Sequence, residues 1–406
     1  MGHCELLLRN GTVFDVGGGL DIAIVGGRIA AIGAGLDLPA DQVIDLGGRV
    51  VVPGFVESHT HLDKAFTVGE DDFATLEEAA GVILRRQADL PREKVVEDIK
   101  ARSRKVLDME IVAGTCAVKS HVMVCPEWGM DSLRAINELK QEYRGRIDLF
   151  NITTWDEAYD SQFDAAARAG EIDFIAGYPL FTPDPMGCID KVFALAARYG
   201  LPLDLHIDET DNPNIDCFMA VLRKTVEYGM QGRVTCGHVC ALSAVDDELA
   251  HRAIEACAQA QVHVITLPSC NMYLMGRKDR QPVRRGVTRV DELLKAGVNV
   301  SVASDNIRDP YRPFGNGDLL EEALFAAQVL QYGTKAQLEE VLRMVTTRPA
   351  RNALLRDYGL AEGCRADLVV LDAPTAREAV ISGAARSWVF KDGRMTVKNG
   401  IAVQDI

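Results

Sequence analysis

The chain has no run of about 18 uncharged apolar residues, so it offers no membrane span. Positive charge is in deficit: Lys and Arg total 44 against 59 Asp and Glu, a formal net charge of −15. Such a surface repels phosphate backbones and argues against a nucleic-acid polymer as partner. The ten cysteines include no C-x-x-C pair. Reduced, mostly buried thiols in a cytoplasmic protein are expected. The opening Met1-Gly2-His3-Cys4-Glu5 lacks the basic start and apolar core of a secretory signal. Familiar catalytic fingerprints are missing too. There is no H-E-x-x-H, no phosphate-cradling G-x4-G-K-[ST], and no H-x-E with P-C-x-x-C of the small zinc deaminases. Gly33-Ala34-Gly35 lacks the third glycine of a dinucleotide fingerprint.

What is present is a globular composition, 48% hydrophobic and 25% charged. At 406 residues it has room for one large barrel or two to three ordinary domains. Both ends read as β-rich. Asn10-Gly11, Gly26-Gly27 and Gly47-Gly48 mark tight turns between apolar runs such as Ile22-Ala23-Ile24-Val25. Near the other end, strands are expected at 366–371 and 387–390, with turns at Asp392-Gly393 and Asn399-Gly400. The middle alternates. Eight strand-like runs recur, at 51–58, 115–122, 147–153, 172–178, 202–207, 233–237, 262–267 and 298–304. Helical stretches fill the gaps, as at 186–199, 213–228, 244–261 and 318–331. Repeated strand–helix units predict a parallel sheet. Eight of them fit an α/β TIM (β/α)8 barrel, with a doubly wound open sheet as the competing fold.

The chemistry gathers at strand ends. His59 and His61, two apart in Glu57-Ser58-His59-Thr60-His61, face the same side of an extended strand, a chelating pattern. The fifth strand ends at His206, facing away from Leu203 and Leu205; the sixth runs into His238, and the eighth into Asp305. Any one of these histidines alone reads as a core residue. Together, at the rim that carries active sites in TIM barrels, three imidazoles and a carboxylate suit one Zn²⁺ or Fe²⁺ with a position left for water. Glu209 follows His206 by three residues and is placed to exchange a proton there; Asp208 competes, since it shares strand parity with His206. Arg277, Lys278, Arg280, Arg284 and Arg285 form a basic cluster, read as a solvated or intersubunit surface rather than a phosphate site.

At these residues the sequence resembles the amidohydrolase superfamily and, within it, the bacterial cytosine deaminase group. The matching segments are Pro53-Gly54-Phe55-Val56-Glu57-Ser58-His59-Thr60-His61-Leu62-Asp63-Lys64, His206-Ile207-Asp208-Glu209, Gly286-Val287-Thr288-Arg289-Val290 and Ser304-Asp305-Asn306-Ile307-Arg308-Asp309-Pro310. The last is also similar to the isopropylammelide hydrolases of triazine breakdown. The resemblance implies a barrel over residues 53–355 and a small β-sandwich built from 1–52 and 356–406. It implies that His59, His61, His206 and Asp305 bind one divalent metal ion, that Glu209 rather than Asp208 shuttles the proton, and that His238 stabilises the attack. Asp305 then helps return a proton to the leaving amine. Binuclear members carry a carboxylated lysine on the fourth strand; residues 172–178 hold none, and Lys119 lies on the second strand. A single metal is therefore expected.

Two departures shape the substrate. The group places a second Asp after the ligand Asp, where this chain has Asn306, and a Gln after the third strand, where it has Thr153-Thr154-Trp155-Asp156-Glu157. Trp155, Asp156, Asn306 and Tyr311 are the expected substrate contacts, with Trp155 and Asp156 also readable as a packed aromatic and a helix cap. Phe66 and Phe181 are further candidates to border the pocket. Lys64 is open between a salt bridge with Asp63, a neighbouring subunit and substrate, and His121 has no assigned role. The expected partner is a small heterocycle, cytosine-like and aminated, acted on by a deaminase. The alternative is removal of an alkylamine from a triazine-type ring or hydrolysis of a cyclic amide. A homo-oligomer is expected.

Overall fold

The computed structural model describes residues 2–69 and 76–403. Eight parallel strands form its centre: β1 (Phe55–Thr60), β2 (Thr115–Val122), β3 (Asp148–Thr153), β4 (Phe174–Gly177), β5 (Leu203–Ile207), β6 (Val234–His238), β7 (His263–Thr266) and β8 (Val300–Val302). Each pairs with the next in chain order. The ring closes where Thr60 bridges Asp305 in parallel and Asp305 N–H donates to His59 O at 2.9 Å. This closure makes the sheet a (β/α)8 barrel and removes the open-sheet alternative.

The expected helices appear: three are shorter at both ends than the stretch read, and Pro185–Tyr199 starts one residue earlier and ends where expected. Their starts have a local cause. Asp184, Asp246 and Asp318 each accept a hydrogen bond from a backbone N–H of the first turn of the helix that follows. In Pro185–Tyr199, Ile189, Val192, Phe193 and Ala196 recur at helical spacing and are buried, so this face packs on the barrel wall.

The two chain ends build the second sheet. Val50–Pro53 lies between Cys4–Val13 on one side and Leu368–Leu371 on the other. Its side chains alternate: Val50 and Val52 join the core shared with the barrel helices, whereas Val51 joins the core inside the sandwich. Val369 and Leu371 split from Leu368 and Val370 in the same way.

One expectation needs correction. The run 51–58 is two strands, not one: Val50–Pro53 belongs to the sandwich and Phe55–Thr60 to the barrel. Both are buried on two faces, so hydropathy does not separate them. The break is at Gly54, where an added Cβ would lie 2.8 Å from both Cβ and Sγ of Cys116. Near the other end, the helix Ala376–Ser382, capped by Thr375, stands between two of the expected strands. All ten cysteines are unpaired, seven of them buried.

Candidate metal and active site

The C-terminal strand ends converge as the barrel requires. His59 and His61 project from the end of β1, His206 from β5, and Asp305 follows β8. His59 Nε2 lies 3.2 Å from His206 Nε2, which lies 3.3 Å from His61 Nε2. Asp305 Oδ1 is 3.2 Å from His61 Nε2 and 3.6 Å from His59 Nε2. Donors at Zn–ligand distance from a tetrahedral ion are about 3.3 Å apart, so these edges match one coordination shell. Both oxygens of Asp305 are buried without a hydrogen-bond partner, which a bound cation would relieve. Burial, then neighbouring histidines, hold the pKa values of His59 and His206 well below the ordinary range; burial, then Lys64, lowers that of His61. The rings are therefore neutral and ready to ligate. The residues present fit a single divalent ion.

The frame is fixed from behind. Glu57, wholly buried, accepts from His59 N–H at 3.0 Å, Ser304 N–H at 3.1 Å and Ser304 Oγ–H at 2.5 Å. It thereby ties the ligand-bearing ends of β1 and β8 together. Close packing demands glycine at 237 on β6, where a Cβ would lie 2.9 Å from His59 Cε1.

Around this centre lies a cavity of about 370 Å³. Glu209 and His238 line it beside His61, His206 and Asp305. Asp208 has a left-handed φ of 49° and its Oδ2 accepts from Phe218 N–H at 3.0 Å. That kink fastens Asp208 to the following helix and turns Glu209 into the cavity. Burial, then Asp305, raises the pKa of Glu209 well above the ordinary carboxylate value. His238 Nδ1 lies 3.0 Å from Asn271 Nδ2 and 3.5 Å from Glu209 Oε1. With the amide donating, the ring proton sits on Nε2, which is buried and unpartnered 4.0 Å from Asp305 Oδ2. Burial lowers the His238 pKa to about 4, so the ring is a neutral donor.

The sequence-read substrate contacts divide. Tyr311 and Asn306 line the cavity, though the Asn306 amide is engaged, donating to Asp309 Oδ2 at 2.6 Å and accepting from Cys270 Sγ at 3.6 Å. Trp155 and Asp156 must be corrected. Trp155 Nε1 donates to Asp160 at 2.7 Å and its ring lies under Lys191 Nζ, while Asp156 caps a 3₁₀ turn by accepting from Ala158 N–H at 2.8 Å. They take the alternative reading, a packed aromatic and a cap, and Thr154 lines the cavity instead. Phe181 lines it too. Phe66 is not among the residues that line the cavity; it is half-buried against the core, with Lys105 and Arg308 over its ring. Lys64 is buried, pairs with Asp63 Oδ1 at 3.0 Å and also reaches the cavity. Arg284 of the basic cluster is neutralised by Asp279 at 2.8 Å.

Asn271, Tyr178, Met123 and the wall residues Ile83 and Leu84 escaped the sequence reading. Tyr178 follows β4, packs its ring 4.1 Å from that of His206, and has a buried, unpartnered hydroxyl. No motif marks these positions. Only strand order, which sets Tyr178 at the rim, was a usable signal.

The sequence matches the amidohydrolase family over residues 42–98 and 115–403. It is 30% identical over 410 residues to N-isopropylammelide isopropyl amidohydrolase of Pseudomonas sp. strain ADP, covering 98% of each chain. It is 31% identical over 385 residues to pterin deaminase of Rhizobium rhizogenes, covering 92% of this chain and 87% of the relative. Among solved structures, 5-methylcytosine deaminase from Klebsiella pneumoniae liganded with 5-fluorocytosine superimposes with a TM-score of 0.89 at 30% identity, covering 98% of each chain. With these likenesses running nearly from end to end, the chain belongs to the amidohydrolase family.

Proposed function

We propose that the protein is a mononuclear metal-dependent deaminase that hydrolyses the exocyclic amine of a cytosine-like N-heterocycle to the oxo product and ammonia. The observation that carries this is the meeting of four ligand atoms with Glu209 and His238 at one cavity. A Zn²⁺ or Fe²⁺ ion held by His59, His61, His206 and Asp305 supplies Lewis acidity and lowers the pKa of the reacting water. Glu209 takes a proton from that water and gives it to a ring nitrogen, making the adjacent carbon more electrophilic. His238 Nε2–H donates to the oxygen as it adds to that carbon. Asp305 takes the remaining proton from the added hydroxyl and passes it to the amine, which departs as ammonia as the tetrahedral centre collapses to the oxo ring. Asn306 and Tyr311 border the ring, and a neutral Asn306 leaves room for a 5-substituent.

A second reading is favoured by the apolar wall of Ile83, Leu84 and Met123 together with the likeness to an isopropylammelide hydrolase. In it, the same groups expel an alkylamine from a triazine-type ring. In both readings the barrel of residues 53–355 is catalytic and the sandwich of 1–52 and 356–406 braces it. Ten unpaired thiols fit a cytoplasmic location. The test is product analysis of the metal-loaded protein with cytosine, 5-methylcytosine, isocytosine, creatinine, aminotriazines and N-alkylaminotriazines. Ammonia plus an oxo ring supports the first reading. Alkylamine selects the second, and a ring-opened acid or no product overturns both.

A further inference from the structure

We propose that His121 is a positioning residue that holds His59 in the one tautomer able to bind metal. The inference rests on the assignment of His59 as a ligand. His121, on β2, is wholly buried, and its Nε2 lies 3.3 Å from His59 Nδ1. His59 presents its other nitrogen, Nε2, to His206 and Asp305. A nitrogen that ligates carries no proton, so the His59 proton belongs on Nδ1 and His121 Nε2 must accept it. The His121 proton then sits on Nδ1, a buried atom without a partner. Such an orphan donor costs stability, and the ring's hydrogen bond is the one it makes to His59.

The ring is held in place from below. Asp204 on β5 approaches His121 Nε2 only to 3.7 Å, because its other oxygen accepts from Lys119 Nζ at 2.5 Å. Lys119, Asp204 and His121 all face the barrel interior, and Lys119 Nζ lies 3.4 Å from Asn352 Oδ1. Asp204 Oδ1 is itself buried without a hydrogen-bond partner, but at 3.7 Å it is beyond hydrogen-bond reach of His121 Nε2, which is left to His59. Ligand histidines commonly donate to a carboxylate or a carbonyl; here the acceptor is a neutral imidazole, which adds no negative charge next to the cation.

Two variants separate positioning from packing. His121→Phe keeps a ring but removes the acceptor; His121→Gln keeps an acceptor oxygen. Metal affinity of the purified full-length protein is measured by chelator competition with Zn²⁺, with folding followed by circular dichroism. His121→Phe is expected to bind Zn²⁺ about 10- to 100-fold more weakly than the parent. His121→Gln should fall much closer to the parent. At saturating Zn²⁺ the Phe variant should regain most of its kcat. Parental affinity in His121→Phe, or equal loss in both folded variants, overturns the inference alone. If the parent binds no metal, the ligand assignment itself fails.

Discussion

Two adjacent carboxylates show how a side chain's role is decided by what already holds it. Asp208 is tethered by the N–H of Phe218, while Glu209 borders the cavity beside His238. Glu209→Gln keeps size and polarity but cannot carry a proton. Turnover should fall at least about 10²- to 10⁴-fold with metal still near one per chain, read by ammonia release and metal analysis. Substantial residual turnover would remove Glu209 from the mechanism. At this scale the sequence was most informative where residue type and strand parity coincide, as for His59, His61 and His206. It was least informative just beyond strand ends. Trp155 and Asp156 follow β3 closely, yet neither lines the cavity, and Asp156 caps the 3₁₀ turn that comes next. Asn271 sits in a short helix, Pro268–Leu274, and only the folded barrel brings it to His238.

Strands and their junctions set the tolerances of the site. The His59 ring reaches across the barrel close enough to β6 that residue 237 must lack a Cβ. Gly237→Ala forces His59 to shift by a few tenths of an ångström. The expected result is a folded protein with at least ten-fold weaker metal binding, measured by chelator titration. Unaltered affinity would show that β1 yields without cost to the ligand shell. Seven of the eight barrel strands were legible to within two residues at either end, because each is a short run between turns. The join at Gly54 was not. The sandwich strand and the start of β1 form one apolar run, Val50 to Val56, broken only by Pro53-Gly54, so no change of period marks where one sheet hands over to the other.

Over the whole molecule, acid is the expected weakness. His263, at the start of β7, is held below the ordinary histidine value at about 4, chiefly by burial. Below about pH 6.5 the unfolded chain gains a proton that the folded form refuses, so stability falls as the pH drops from about 6.5 towards 4. This group alone contributes about 3 kcal/mol across that window. His263→Gln should flatten thermal midpoints across the window, and an unchanged slope would assign the acid limb elsewhere. The general architecture was readable from eight repeated units and two β-rich ends. The helix Ala376–Ser382 was missed because it interrupts an otherwise strand-like stretch. The account as a whole stands on water replacing an amine on a heterocycle. Metal-loaded protein turning over 5-methylcytosine or cytosine in ¹⁸O-enriched water tests that claim most directly. One heavy oxygen in the ring product, with one ammonia released per ring and neither formed by Glu209→Gln, is the predicted result. An unlabelled product, a ring-opened acid, or equal turnover by the variant would contradict it.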